Sequence, residues 1–274
     1  RIRPCIEAAK ALSLAWNKPL IPVNHLIGHI YANFLEGQDI PFPALVLIVS
    51  GGHTDLVLMK NHGDFEYIGG TLDDAAGEAF DKTARLLGIS KYLGGALLSK
   101  EAATCIDNTI RGELPRPMIN EDSFDFSFSG LKTAVKRLVE KEEYPTNVVA
   151  CEFETAVVDV LVKKTINASK KFRAKSILLG GGVAANTQLR FRLKLEAEKV
   201  SIPVFVPPIR PGPTVTARTS ILSIPLCTGA KFCACRERRS AFPTSRRIVS
   251  STTGITNSTC FLAATSGTTP PVFS

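Results

Sequence analysis

Apolar positions recur along this chain with two alternating periods, and that alternation predicts an α/β protein. Ile6, Ala9, Leu12 and Trp16 share one helical face within 5–16. Residues 19–23 suit a short strand, and 26–35 a helix with His25 near its start. The unbroken apolar run from Ala44 to Val49 reads as a buried strand, followed by a second at 56–60 and a continuation at 64–67. A spacing near 3.6 predicts a helix over 72–87, with Asp73 and Asp74 in its first turn and Gly88 as its stop. Helices are also predicted over 96–106, 131–141, 148–171 (long and amphipathic) and 185–199, strands over 176–179 and 204–206, and irregular chain over 114–125. Such an order implies a mostly parallel or mixed sheet with helices on its faces.

Two of these strands empty into glycine turns, Ser50-Gly51-Gly52-His53-Thr54-Asp55 and Gly180-Gly181-Gly182. Glycines free the backbone and leave no Cβ in the way of a ligand, and bare N–H groups in such turns can face phosphate or carboxylate oxygens. Two strand-to-glycine turns suggest a nucleotide held between related halves.

The pattern changes near Pro208. Of the 66 residues from Ile209 to Ser274, 21 are Ser or Thr, and helical periodicity is absent. This composition predicts disorder over 209–274, and its abruptness is that expected of a shifted reading frame. The start lacks an initiator Met and opens directly into a helix-like stretch, so the natural N-terminus is expected upstream. The net charge of +8 would point to nucleic acid, but 209–274 hold eight Lys and Arg against one Glu, leaving 1–208 at only +1. The seven cysteines form no CxxC pair, and no secretory signal or membrane span is visible. Reduced thiols and a cytoplasmic setting follow, with mitochondria as the other compartment compatible with these features.

His25 and His29 stand four apart, which on a helix puts both imidazoles on one face, able to hold one metal with a third ligand from elsewhere. Position 26 is Leu, so the HExxH pattern of a metalloprotease is missing. His53 reads as a capping or packing residue and His62 as solvated. Asp74, Glu78 and Asp81 fall on one predicted helical face, either solvated or able to accept hydrogen bonds from ribose or substrate hydroxyls. Residues 126–133 form either a turn with Ser129 as helix cap or part of an adenine pocket. Gly180 to Asn186, between a strand and a helix, suit an anion or sugar but lack a Walker lysine.

Five ordered motifs resemble the TsaD/Gcp group of tRNA N6-adenosine threonylcarbamoyltransferases, once called O-sialoglycoprotein endopeptidases. They are Asn24 to His29, Val49 to Thr54, Asp73 to Lys82, Phe126 to Lys132 and Gly181 to Asn186. The resemblance implies an actin/hexokinase-like ATPase-type fold with ribonuclease H-like lobes, the first incomplete. The expected division is a remnant N-terminal lobe (1–70), a helical insert plus C-terminal lobe (71–208) and the tail. It implies transfer of threonylcarbamoyl from threonylcarbamoyl-AMP to N6 of the adenosine beside the tRNA anticodon, with accessory proteins. By position, His25 and His29 resemble the metal pair for one Fe or Zn. Ile48, Val49, Ser50, Gly51 and Gly52 resemble the substrate loop, and Asp81, Gly95 and Asn186 further nucleotide or substrate contacts. The family's third ligand, an Asp after a late Pro-Pro, has no counterpart, since no Asp follows Asp159; weak metal binding is the consequence. The alternative is a non-catalytic actin-like remnant that binds partners. Metal content separates the two.

Overall fold

A computed structural model describes residues 2–141, 143–207 and 259–263. Its centre is the Ala44–Val49 strand (β2), all six residues of which are buried. The chain enters it through a helix at Ile2–Ala15 (α1), a strand at Leu20–Asn24 (β1), a helix at His25–Tyr31 (α2) and a 3-10 turn at Ala32–Phe34. From β2 the chain folds back through Thr54–Asn61 (β3) and Asp64–Gly70 (β4) as an antiparallel meander. Ser176–Gly180 (β5) then joins the other side of β2 in parallel, and Val204–Phe205 (β6) adds to β5, also in parallel. The resulting order, β4-β3-β2-β5-β6, is a mixed five-stranded sheet with the topology of a ribonuclease H-like lobe. Strands from both sides of residue 70 contribute to this sheet, β2, β3 and β4 from one side and β5 and β6 from the other.

Alternate residues of β2 serve two cores. Leu45, Leu47 and Val49 face a large helical layer, and Ala44, Val46 and Ile48 face α2. A strand buried on both faces must be apolar throughout, which is why its sequence shows no alternation. The helical layer consists of Ala76–Leu86 (α3), Gly95–Ala102 (α4), Ser129–Glu140 (α5), Thr146–Lys171 (α6) and Thr187–Glu198 (α7). α6 packs on α4, α5, α7 and β2 and is buried along most of its length, so the amphipathic pattern predicted over 148–171 does not hold. Polar groups within it are satisfied locally: Glu152 accepts from Asn108 Nδ2 at 2.8 Å and Gly112 N–H at 2.9 Å and pairs with Arg116.

Two further predictions are corrected. α3 begins at Ala76, so Asp73 and Asp74 precede it, and Asp74, Glu78 and Asp81 do not form one helical face. Ser129 is the first residue of α5 and does not cap it. The capping carboxylate is Asp73, which accepts from Phe128 N–H at 2.8 Å and Ser129 N–H at 3.3 Å. Within the stretch read as disordered, Thr259–Ala263 (β7) pairs antiparallel with β1, and the rest of that prediction lies outside the described residues.

Candidate nucleotide and metal site

Because β2 and β5 are parallel neighbours with Ile48 opposite Gly180, both glycine turns leave the sheet at the same edge. That edge, outside the carboxyl ends of parallel strands, is where open α/β sheets place their ligands. The approach of the two turns is close. Gly181 has φ 93°, and a Cβ on it would collide with the Val49 carbonyl. The first turn is closed by Ser50 N–H donating to His53 O at 2.8 Å and His53 N–H donating to Ser50 Oγ at 3.1 Å. α3 is pinned over it: Ala76 N–H donates to Thr54 Oγ1 at 2.8 Å and Gly77 N–H to Ser50 O at 3.2 Å. A Cβ on Gly77 would lie 2.5 Å from that oxygen, so glycine is required there for packing. Gly51 and Gly52 are different. Both are exposed, and open space surrounds the position a Cβ would take.

The histidine pair borders the same edge. Asn24 Oδ1 caps α2 by accepting from Leu26 N–H at 2.8 Å and Ile27 N–H at 3.4 Å, which fixes where His25 begins the helix. α2 lies against the end of β5, since a Cβ on Gly180 would sit 3.2 Å from the His29 carbonyl oxygen. Asn33 Nδ2 reinforces this by donating to Ile30 O and Leu179 O, each at 3.2 Å. One helical turn brings the His25 and His29 rings to 4.4 Å between centroids, with Nε2 atoms 3.1 Å apart. Burial, followed by the charge of His53, pushes the His25 imidazole below its usual range. Burial, then His25, then His53 push that of His29 down to about 4. Both are therefore neutral near pH 7, the form that ligates metal.

The influence of His53 on both rings brings a third imidazole to the cleft, a role the sequence reading assigned instead to capping or packing. A second group missed there is Asp55, opposite Ile48 across β2 and β3. Its carboxyl is pushed up by burial, against the opposing effects of His53 and the Tyr67 hydroxyl, which donates to it at 3.3 Å. The signal for both was their place directly after the glycine pair.

Of the remaining candidates, Asp81 and Gly95 engage each other, and Asn186 engages α4, α6 and α7. Asp81 Oδ1 accepts from Gly95 N–H at 2.8 Å, tying α3 to the start of α4. Asn186 Oδ1 caps α7 through Leu189 N–H at 2.7 Å. Its Nδ2 donates to Ser99 Oγ at 2.9 Å and Glu154 Oε1 at 2.6 Å. These three residues brace the wall of the cleft. Ile48 and Val49 are fully buried, so only their backbones can meet a ligand.

Two ligands of a tetrahedral metal with bonds of about 2.0–2.1 Å stand roughly 3.3 Å apart. The 3.1 Å separation of the Nε2 atoms fits that chemistry as one edge of a coordination sphere. Among the described residues no three His, Cys, Asp or Glu side chains form a ready-made cage.

Comparison with known proteins bears on the family and the fold. The family model described as tRNA N6-adenosine threonylcarbamoyltransferase matches residues 2–210. The protein of that name from Dehalococcoides mccartyi (strain ATCC BAA-2100) is 54% identical over 205 residues, covering 74% of this chain and 60% of the relative. That from Bacillus subtilis (strain 168) is 50% identical over 210 residues, covering 74% and 59%. The chain thus spans about 60% of the length of these curated relatives. Among solved structures, full-length HypF in its phosphate- and nucleotide-bound form superposes with a TM-score of 0.54 at 14% identity, covering 67% of this chain and 39% of that one. That likeness establishes the actin/hexokinase-like ATPase-type fold. With its sheet topology, its ordered motifs and these relatives in agreement, this chain belongs to the tRNA N6-adenosine threonylcarbamoyltransferase family.

Proposed function

We propose that this chain carries the acyl-transfer cleft of a t6A-forming enzyme, moving threonylcarbamoyl from threonylcarbamoyl-AMP to N6 of the adenosine next to the tRNA anticodon. The observation that carries the reading is the meeting of His25, His29 and both glycine turns at one sheet edge. The exposed amides around Gly51 and Gly52 suit the phosphate of the adenylate. The Ser50–His53 bonds and the pinned start of α3 hold that turn in shape before a ligand arrives, which reduces the ordering cost of binding. The Asp81–Gly95 and Asn186–Ser99 contacts keep the opposite wall fixed.

In the transfer, a bond forms from N6 to the carbamoyl carbon while the bond from that carbon to the phosphate oxygen breaks. AMP leaves with the bonding pair, and N6 releases a proton. His25 and His29 would hold one Fe or Zn, which as a Lewis acid would polarise the acyl-adenylate. Neutral imidazoles accept that role without first losing a proton. Accessory proteins of tRNA threonylcarbamoylation are the partners this reading implies, and the cytoplasm is its setting. No described helix is long and apolar enough to cross a membrane.

The test is t6A formation, followed by nucleoside mass spectrometry, with threonylcarbamoyl-AMP, an unmodified tRNA transcript and the accessory proteins. His25→Ala and His29→Ala should each lower the rate at least ~100-fold. A variant as fast as the parent, or a parent that forms no t6A, would overturn the reading.

A further inference from the structure

The helical layer also carries a groove of about 260 Å³, walled mostly by the apolar parts of Lys82, Arg85 and Leu86 of α3 and Lys132 of α5. Three cations from two packed helices converge there, although residues 1–208 as a whole are nearly neutral. Lys82 is held in place by Asp74 at 2.5 Å and Glu78 at 2.9 Å. Arg85 and Lys132 make no ion pair with any described residue, and both are exposed. Lys136 and Arg137 extend the basic surface along α5, with only Lys136 paired, to Glu140 at 3.6 Å. Two guanidinium groups and three ammonium groups along neighbouring helices form a track, not a point site.

We propose that this groove binds the phosphate backbone of an RNA strand. Arg85, Lys132 and Arg137, the members of this cluster without a carboxylate partner among the described residues, have counterions to release, which is the main source of protein affinity for nucleic acid. Contacts of this kind set register and orientation without reading bases. The location fits. α3 starts on the Ser50-Gly51 turn, and Arg85 lies eight residues beyond Gly77, ~12 Å along the helix axis. A strand lying on α3 and α5 would thus pass beside the cleft. α5 is anchored to the same region by Asp73, whose carboxylate accepts from Ser127 Oγ and Ser129 Oγ, each at 2.6 Å. The choice of RNA over another polyanion rests on the transferase reading; the groove itself does not.

The experiment is filter binding of an unmodified tRNA transcript to the full chain across a salt series, comparing the parent with the Arg85→Gln/Lys132→Gln double variant. Cations elsewhere in the chain contribute equally to both proteins, so the difference reports the groove. Removing two phosphate contacts should weaken binding by about tenfold or more near 0.1 M salt and lower the slope of log K against log salt by about 1.4–1.8. A transcript whose target adenosine is replaced by guanosine should bind the parent equally well, because the backbone is unchanged. Equal affinity and slope for parent and double variant would overturn the groove, as would a parent that binds no tRNA. Loss of binding in the double variant alongside a parent that forms no t6A would leave the groove standing and reject the transferase reading.

Discussion

The glycines at the sheet edge show how one residue type serves two purposes. Gly77 and Gly181 are there because another part of the chain occupies the space a side chain would need. At Gly181 the positive φ adds to that demand, since an L-residue is strained in that region. Gly181→Ala should therefore lower stability by about 1–3 kcal/mol, measured by urea denaturation. An unchanged midpoint would mean that the turn tolerates a side chain and is not tightly set. Gly51 and Gly52 face no such constraint, so their use points to a ligand.

At the scale of elements, what was legible in the sequence depended on whether a side chain served its own segment. The histidine pair was legible because both rings belong to a single helix and its period sets their spacing. The buried strand at 44–49 was legible because both its faces are covered. Asp73 was misplaced because the sequence put it in the first turn of a helix, whereas its carboxylate reaches across to cap α5, 55 residues away from Phe128. α6 was misjudged because helices on either side bury faces that an isolated helix would leave wet. Asp81 and Asn186 could be identified as polar residues at the right places, but not as internal braces, since their partners lie on other elements.

Asp73 makes a prediction at this scale. Burial pushes its carboxyl up, but hydrogen bonds from Ser127, Ser129 and the Phe128 and Ser129 amides outweigh that and hold it below the usual carboxylate range. A depressed folded-state value means the charged form is favoured by folding. The contribution is complete above the ordinary carboxylate value, near pH 4, and is lost as pH falls through the depressed one. Asp73→Ala should cost about 1–2 kcal/mol at pH 7, in the range of a lost helix cap. Its stability should also fall less steeply than the parent's between about pH 4 and 2. Parallel acid profiles for the two proteins would count against this cap.

For the whole molecule, the five-stranded sheet does the essential positioning. Making β2 and β5 parallel neighbours brings two turns more than 120 residues apart in sequence to one edge, and α2 docks beside them. No local pattern encodes that adjacency, although the order of elements implied it. Bulk charge pointed away from nucleic acid across 1–208, because the cations of α3 and α5 are balanced by carboxylates elsewhere and only their clustering distinguishes them.

The central claim is that the Ser50–Gly52 turn seats an adenylate. Gly51→Ala and Gly52→Ala test it most directly, because a methyl group at either position meets no protein atom within 4 Å. By calorimetric titration with AMP or a non-hydrolysable threonylcarbamoyl-adenylate analogue, each variant should bind about tenfold or more weakly than the parent while melting within ~2 °C of it. Parent-like affinity in both variants would contradict the claim.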